Sequence, residues 1–199
     1  MKPVLLNAER IILIGFMGSG KTSVGRALAT RLGWEMVDTD ALVETRAGAI
    51  VADIFREKGE PAFRELEAEV LASLRGRRNL VIATGGGAPT QARNRDFFTG
   101  QAVFHLRVSL ENVLHRTRGN RERPLLSQGE EAVRALYENR RPVYESMGTG
   151  VETDGRDPAD VAEEILLLLR SPNPYRKPAG SGSPGPEGSA GPRRSPSRE

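Results

Sequence analysis

A glycine-rich stretch near the start of the chain has the residue types that bind phosphate. Residues 15–22 read GFMGSGKT, a complete G-x-x-x-x-G-K-T pattern between an apolar run and a helical pattern. Glycines let such a loop curl until its backbone N–H groups point at phosphate oxygens, and the following helix adds its N-terminal dipole. The residues that this pattern predicts to bind the nucleotide are Gly15, Gly18, Ser19, Gly20, Lys21, Thr22 and Ser23.

A dinucleotide-binding fingerprint is the main alternative for this loop. It would use Asp38, about 20 residues on, as the acid that binds the ribose. However, Ser23 occupies the position that the third glycine of that fingerprint requires. We therefore predict a nucleoside triphosphate site, in which Lys21 reaches the β- and γ-phosphates and the Thr22 hydroxyl ligates Mg²⁺.

Two carboxylates follow the second apolar run, in the sequence Val37-Asp38-Thr39-Asp40. If this segment ends a strand, Asp38 and Asp40 point to the same side, because side chains at i and i+2 of a strand share a face. Two like charges so close need a positive or proton-donating group between them. No acid ends the later apolar run at 80–83, so these two are the acids expected nearest the nucleotide.

The positive charge of the chain is concentrated at one end. The chain has 199 residues and a formal net charge of +3, and residues 171–199 hold five basic side chains against two acidic ones. The remainder is therefore neutral, which argues against a nucleic-acid partner. Because the segment 171–199 is rich in Pro, Gly and Ser, we expect a disordered tail after one domain at 1–170.

The chain contains no cysteine, which excludes disulfides, thiol nucleophiles and cysteine-ligated zinc. The apolar runs at 11–14 and 165–169 are too short for a signal peptide or a membrane span. We expect a cytoplasmic monomer with no membrane partner.

Strand-like and helical patterns alternate along the chain. Apolar runs of strand length occur at 11–14, 34–37, 80–83 and 102–106, with a weaker one at 149–152. Helical patterns occur at 21–31, 50–58, 60–75, 109–118, 130–147 and 158–170, the last with Asp157 as N-cap. This alternation predicts an α/β fold with a parallel sheet whose ligands lie at the carboxyl ends of the strands.

Two further motifs fall between these elements. In DIFREKGEPAFRELE, Arg64 and Glu67 share one helical face, for which an ordinary surface ion pair is the simpler interpretation. In ATGGGA, the three glycines Gly85, Gly86 and Gly87 are expected to leave backbone N–H groups for a ligand at close range.

An arginine-rich segment follows, RTRGNRERPLL at 116–126, with Gly119 as a possible hinge. Arginines without phosphate partners repel one another, so this composition is typical of a flap that closes a cation over bound phosphates. The motif NRRPVYE, at 139–145, comes after it.

Taken in order, these motifs resemble those of the shikimate kinases. The similarity runs from about residue 10 to 170 and consists of GFMGSGKT, DTD, the I-F-x-x-x-G-E-x-x-F-R pattern, TGGG, R-P-L and R-x-P-x-Y. It implies a three-layer P-loop fold like that of the nucleoside monophosphate kinases, with a five-stranded parallel sheet flanked by helices. It also implies an acceptor-binding region at about 40–67 and a lid at about 117–129.

The resemblance implies a role for each matching residue. Asp40 would contact the acceptor hydroxyl, and Asp38 would hold Mg²⁺ through water. Adenine would lie between Arg116 and Pro158, and Arg123 would be the lid arginine that, with Lys21 and Asp40, completes the catalytic set. The residues implied to bind shikimate are Asp40, Arg64, Gly85, Gly86, Gly87 and Arg140.

The implied reaction is ATP-dependent phosphorylation of the 3-hydroxyl of shikimate, within chorismate and aromatic amino-acid biosynthesis. A related small-metabolite kinase, such as a gluconate kinase, is one alternative, and a catalytically idle nucleotide-binding module is another. Arg64, Arg140 and the three glycines favour shikimate over the first alternative. The presence of Lys21, Asp40 and Arg123 argues against the second.

Overall fold

A computed structural model of the chain describes residues 8–117 and 129–170. The expected tail at 171–199, almost all of the expected lid, and Arg123 lie outside the described residues. The described strands are β1 (Arg10–Ile14), β2 (Glu35–Asp38), β3 (Leu80–Ala83), β4 (Ala102–Arg107) and β5 (Thr149–Glu152).

These strands form one sheet in the order β2-β3-β1-β4-β5, and every neighbouring pair is parallel. In the centre, Ile12 of β1 lies opposite Ile82 of β3 on one side and Val103 of β4 on the other. The prediction of a five-stranded parallel sheet is confirmed. Since all strands run the same way, their carboxyl ends meet at one edge.

Strand β1 is apolar and buried from Ile11 to Ile14 because both of its faces are covered. Ile11 and Leu13 pack into one core together with residues of the first and last helices, such as Leu28 and Ile165. Ile12 and Ile14 face a second core that includes Tyr144. A strand buried on both faces shows a continuous apolar run instead of alternation.

Seven α-helices surround the sheet in the part of the chain that the structure describes. They are α1 (Lys21–Leu32), α2 (Thr39–Ala47), α3 (Val51–Ser73), α4 (Arg95–Phe98), α5 (Leu110–Thr117), α6 (Glu130–Met147) and α7 (Pro158–Arg170). Two short 3₁₀ turns, Ala88–Thr90 and Ala92–Asn94, follow the three glycines. Within the described ranges, no helix is both long and apolar enough to cross a membrane.

Helix α3 contains the break that the sequence predicted between 50–58 and 60–75. Gly59 has non-helical backbone angles, with φ 77° and ψ 170°, and Pro61 begins the second half. Below the break, Val43, Ile54, Phe63 and Val70 form a third, small core between α2 and α3. This core supports the part of the molecule expected to hold the acceptor.

Helix α7 begins as predicted. Pro158 is its first residue, and the Asp157 carboxylate accepts a hydrogen bond of 2.8 Å from the backbone N–H of Ala159. Such a cap satisfies a helix N–H that has no partner within the helix. Pro158 is thereby held at the edge of the sheet where ligands are expected.

Candidate active site

The phosphate-binding loop joins β1 to α1 and is fixed by close backbone contacts. Gly15 has φ +145°, and a Cβ at this position would lie 2.7 Å from the carbonyl oxygen of Leu106. The Nζ of Lys21 donates to the carbonyl oxygens of Gly15 at 2.8 Å and Phe16 at 2.9 Å. Lys21 therefore lies across the loop, at the N-terminus of α1, where a phosphate chain is favoured.

A cleft of about 480 Å³ runs beside this loop. The side chains and backbone that line it are Gly18, Ser19, Gly20, Lys21, Thr22, Ser23, Val24, Asp38, Asp40, Thr84, Gly86, Arg116, Thr153, Arg156, Pro158 and Val161. Every residue that was predicted to bind the nucleotide and that the structure describes lines this cleft, except Gly15. Gly15 lies at the start of the loop, against the backbone of Leu106. The cleft thus joins the phosphate loop to Asp40 and Gly86, two residues implied to bind the acceptor.

Arg116 is held over the loop by two backbone carbonyls. Its Nη1 donates to Gly18 at 2.9 Å and its Nη2 to Thr153 at 3.4 Å. Since Pro158 lines the same cleft, the structure brings together the two residues expected to flank adenine.

Arg156 also lines the cleft, although the sequence motifs did not identify it. It forms an ion pair of 2.5 Å with Glu164 of α7 and donates to the carbonyl oxygen of Glu152 at 3.0 Å. Its position just after β5 was the available signal, because residues after the strands of a parallel sheet line its ligand edge.

The expectation that Asp38 and Asp40 share a face of one strand is wrong. Asp38 ends β2, but Asp40 lies in the first turn of α2. The Asp38 carboxylate caps this helix by accepting a 3.1 Å hydrogen bond from the Asp40 backbone N–H. Both acids nevertheless line the cleft, so helix geometry places them together where strand geometry was expected to do so.

The oxygen atoms at and beside Asp38 are of the kind that bind a hard cation. The Thr22 hydroxyl donates to Asp38 Oδ2 at 2.8 Å, so a hydroxyl oxygen and a carboxylate meet at the phosphate loop. Mg²⁺ prefers oxygen ligands and commonly takes one or two protein groups together with phosphates and water. The residues present therefore fit a nucleotide-bound Mg²⁺.

The three glycines after β3 lie against the side chains of the acceptor region. A Cβ on Gly85 would collide with Asp40 Oδ1, one on Gly86 would lie 3.4 Å from Arg140 Nη1, and one on Gly87 would collide with the Arg64 guanidinium. A side chain at Gly85 or Gly87 would force these charged groups to shift, whereas at Gly86 the distance is that of an ordinary van der Waals contact. The structure thus brings Asp40, Arg64 and Arg140 to one strand end.

The expectation that these glycines present free backbone N–H groups is wrong for Gly85. Its N–H donates to the Thr39 hydroxyl oxygen at 2.9 Å, a bond that ties β3 to the start of α2. The carbonyl oxygen of Gly86 accepts a 2.6 Å hydrogen bond from the Tyr144 hydroxyl. The Gly85 N–H and the Gly86 carbonyl oxygen are therefore engaged in hydrogen bonds within the protein.

Arg64 and Glu67 form a buried pair, so the simpler interpretation of a surface ion pair is wrong. Arg64 is 7% exposed and Glu67 is 1% exposed. Nη1 of Arg64 donates to both carboxylate oxygens of Glu67, at 3.2 Å and 3.0 Å. Arg64 and Glu67 are buried because other parts of the chain pack over α3. The spacing of two residues on one helix cannot indicate such packing.

The pKa values of this pair follow from burial and from mutual attraction. Burial raises the pKa of Glu67 to about 7, against the attraction of Arg64, and Asp40 adds to the increase. Burial by itself would lower the pKa of Arg64, but Glu67 and Glu60 outweigh it and raise that pKa. Arg64 is thus a permanent cation at the acceptor end of the site.

Arg140 reaches the same place from α6. Its guanidinium lies against Gly86 and close to Tyr144, a residue that is 1% exposed. Burial raises the pKa of Tyr144 to about 12, so its hydroxyl stays protonated as a donor to Gly86. Two guanidinium groups therefore stand over neighbouring glycines, a geometry suited to one carboxylate.

The model of the shikimate kinase family matches residues 17–170, which is most of the chain. The chain belongs to the shikimate kinase family. As a shikimate kinase family member, it has the five-stranded parallel sheet expected of the P-loop kinases related to nucleoside monophosphate kinases.

Individual shikimate kinases match over nearly their whole length. The enzyme of Persephonella marina is 40% identical over 163 residues, which are 81% of this chain and 99% of the relative. That of Moorella thermoacetica is 46% identical over 164 residues, which are 81% of this chain and 94% of the relative.

A solved structure agrees with these sequence matches. The shikimate kinase from Acinetobacter baumannii in complex with shikimate superposes with a TM-score of 0.78 at 41% identity, covering 82% of this chain and 93% of that chain. The family membership thus rests on sequence and on structure together.

Proposed function

We propose that the chain transfers the γ-phosphoryl group of ATP to the 3-hydroxyl of shikimate, giving shikimate 3-phosphate and ADP. The observation that carries this proposal is the position of Asp40. This acid lines the cleft of the phosphate loop and also lies against Gly85, beside the glycines that contact Arg140 and Arg64. A hydroxyl held by Asp40 would therefore sit between bound phosphates and the two arginines.

The nucleotide half of the site supports ATP as the co-substrate. Its phosphates would lie on the loop at 15–20, with Lys21 turned from the loop carbonyls toward the β- and γ-phosphates. Adenine would lie between Arg116 and Pro158, which line the same cleft.

The acceptor half supports a small carboxylic acid that carries hydroxyl groups. Arg64 and Arg140 would bind the carboxylate, because guanidinium groups form paired hydrogen bonds with it that lysine cannot form. Gly85, Gly86 and Gly87 allow Asp40, Arg140 and Arg64 to approach this strand end closely, so the three side chains converge on one acceptor. Asp40 would accept a hydrogen bond from the 3-hydroxyl and orient its oxygen toward the phosphate chain.

In the reaction, the 3-hydroxyl oxygen forms a bond to the γ-phosphorus as the bond to the β–γ bridging oxygen breaks. The hydroxyl proton passes late to Asp40, because the transition state of phosphoryl transfer is loose and the nucleophile needs little activation. Lys21 and Arg123 offset the negative charge that moves onto the bridging oxygen of ADP. The role of Arg123 is proposed from the sequence motif, since this residue lies outside the described residues.

Thr22 and Asp38 are the residues that would hold Mg²⁺, Asp38 through water. When bound, the ion supplies positive charge to the phosphates and fixes their orientation. The chain's own contribution is the 2.8 Å hydrogen bond between the two side chains, which keeps both oxygens at the loop. We further propose that the protein is cytoplasmic, in line with its lack of cysteine, and that it acts as a monomer.

A substrate panel tests the proposal. ADP release would be measured with ATP and Mg²⁺ in the presence of shikimate, gluconate or no acceptor, and the product would be identified by mass and by phosphorus–proton NMR coupling. We expect release that depends on shikimate and a phosphate on the 3-oxygen. Release that depends on gluconate alone would favour a related metabolite kinase, and no release with any acceptor would favour an idle module.

A further inference from the structure

Arg64 is shared by two carboxylates that contact different edges of its guanidinium. Nη1 donates to both oxygens of Glu67, whereas Nε and Nη2 donate to Glu60 Oε1, at 3.1 Å and 2.9 Å. The edge formed by Nε and Nη2 is one of the two edges at which a guanidinium binds a carboxylate through parallel hydrogen bonds. Glu60 occupies this edge.

The two carboxylates differ sharply in burial. The Glu67 side chain is 1% exposed, whereas that of Glu60 is 60% exposed. Removing Glu67 from Arg64 would leave a buried charge unpaired, which is costly, but Glu60 can leave into water. Glu67 is therefore the permanent partner of Arg64 and Glu60 the exchangeable one.

The backbone at Glu60 also permits an exchange. Glu60 follows Gly59, where the helical backbone angles are interrupted, and precedes Pro61, which starts the second half of α3. A Cβ on Gly59 would have only Pro61 Cδ within 4 Å, at 3.6 Å, so few atoms surround this break in the helix. Glu60 can thus move away from Arg64 without disturbing the core beneath α3.

We propose that Glu60 is an internal competitor for the carboxylate of the acceptor, so that acceptor binding requires Arg64 to exchange Glu60 for its ligand. This inference rests on the proposed function, since it needs the acceptor carboxylate at Arg64. It makes Glu60 a specificity-determining residue. An anionic acceptor able to form two hydrogen bonds displaces Glu60, whereas an uncharged analogue gains nothing from doing so.

A purely structural role for Glu60 would change acceptor affinity in the opposite direction. If Glu60 served only to hold Arg64 in place, its removal would loosen the guanidinium and weaken acceptor binding. If it competes, its removal strengthens acceptor binding, by an amount set by the modest strength of an exposed ion pair.

The test compares Glu60→Gln with Glu57→Gln in the full-length protein. Glu57 is a matched control because it is also 60% exposed, lies on the same helix and pairs with an arginine, Arg56, at 3.2 Å. KM values for shikimate and ATP would be measured for both variants, together with inhibition by shikimate methyl ester, which lacks the negative charge.

We expect Glu60→Gln to lower the KM for shikimate about 2- to 5-fold, with no change in the KM for ATP or in the inhibition constant of the ester. Glu57→Gln should leave all three near their wild-type values. An unchanged or higher shikimate KM in Glu60→Gln, or an equal gain for the ester, would overturn the proposal. Wild-type protein inactive toward shikimate would instead refute the proposed function itself.

Discussion

At the scale of single residues, the acceptor site depends on which guanidinium reaches the glycines. Arg140 and Arg141 are neighbours in the sequence, yet only Arg140 contacts Gly86 and Tyr144. Arg141 is half-exposed and forms long ion pairs with Glu138 and Glu145, at 3.9 Å and 3.7 Å. The chain therefore offers an internal comparison of two arginines with the same local sequence.

We expect Arg140→Lys to raise the KM for shikimate by roughly 10- to 100-fold. An increase of this size is expected because lysine cannot form the pair of charge-assisted hydrogen bonds that arginine forms with a carboxylate. The affinity for ATP should stay near wild type, because Arg140 does not line the nucleotide cleft. Arg141→Lys is the control and should leave both constants unchanged. Calorimetry showing equal loss of shikimate and ATP affinity in Arg140→Lys would contradict the assignment.

At the scale of elements, the site is organised by the junctions that follow β1, β2 and β3. The phosphate loop and the sheet could be predicted because Gly15, Lys21 and the buried runs have strong local patterns. Helix α2 was missed, although Asp38 at its N-cap and Gly48 at its C-terminal end, with φ +65°, were available signals. The pattern VDTD fits the end of a strand as well as the start of a helix, and Asp38 has both roles.

Other features could not be predicted from local patterns. The burial of Arg64 with Glu67 depends on how α2 and the turn after Gly87 pack over α3. Three glycines in a row correctly indicated that other groups approach this backbone closely. They did not indicate that these groups are side chains of the protein and not a ligand. Such contacts join residues far apart in the sequence, so the spacing within one motif does not reveal them.

Strand β4 contains a buried histidine that should shape the pH dependence of stability. His105 is 5% exposed, and its Nδ1 has no hydrogen-bond partner among the described residues. Burial lowers the pKa of His105 to about 4, and Arg107 and Lys21 contribute to the decrease. In the unfolded chain it takes up a proton near pH 6.5, so the folded state loses stability as the pH falls from about 6.5 to about 4.

We therefore expect the wild-type protein to lose about 2 kcal/mol more unfolding free energy than His105→Gln between pH 7 and pH 5. Urea denaturation of both proteins at each pH measures this difference. His115→Gln is the control, because His115 is exposed on α5. The same loss in His105→Gln as in wild type would show that His105 is not responsible.

At the scale of the whole molecule, the catalytic unit should be the sheet and its helices without the tail. The residues that line the cleft lie between Gly18 and Val161, and α7 ends at Arg170. The segment 171–199 holds the whole excess of positive charge but little apolar surface.

Deleting residues 172–199 should leave the melting temperature within about 1–2 °C and turnover close to those of the full chain, because the segment has little to bury. Calorimetric scans and steady-state kinetics on the two proteins measure both quantities. A loss of several degrees would show that the tail packs against the domain.

The most direct measurement of the central claim is shikimate-dependent ADP release in wild type and in Asp40→Asn, with ATP affinity measured alongside by calorimetry. Asp40 joins the nucleotide cleft to the acceptor glycines, so its substitution should lower turnover by roughly 10²–10⁴-fold while ATP still binds. Asp96→Asn, an exposed change on α4, should have no effect. Turnover within a few-fold of wild type in Asp40→Asn, or ADP release independent of shikimate, would contradict the account.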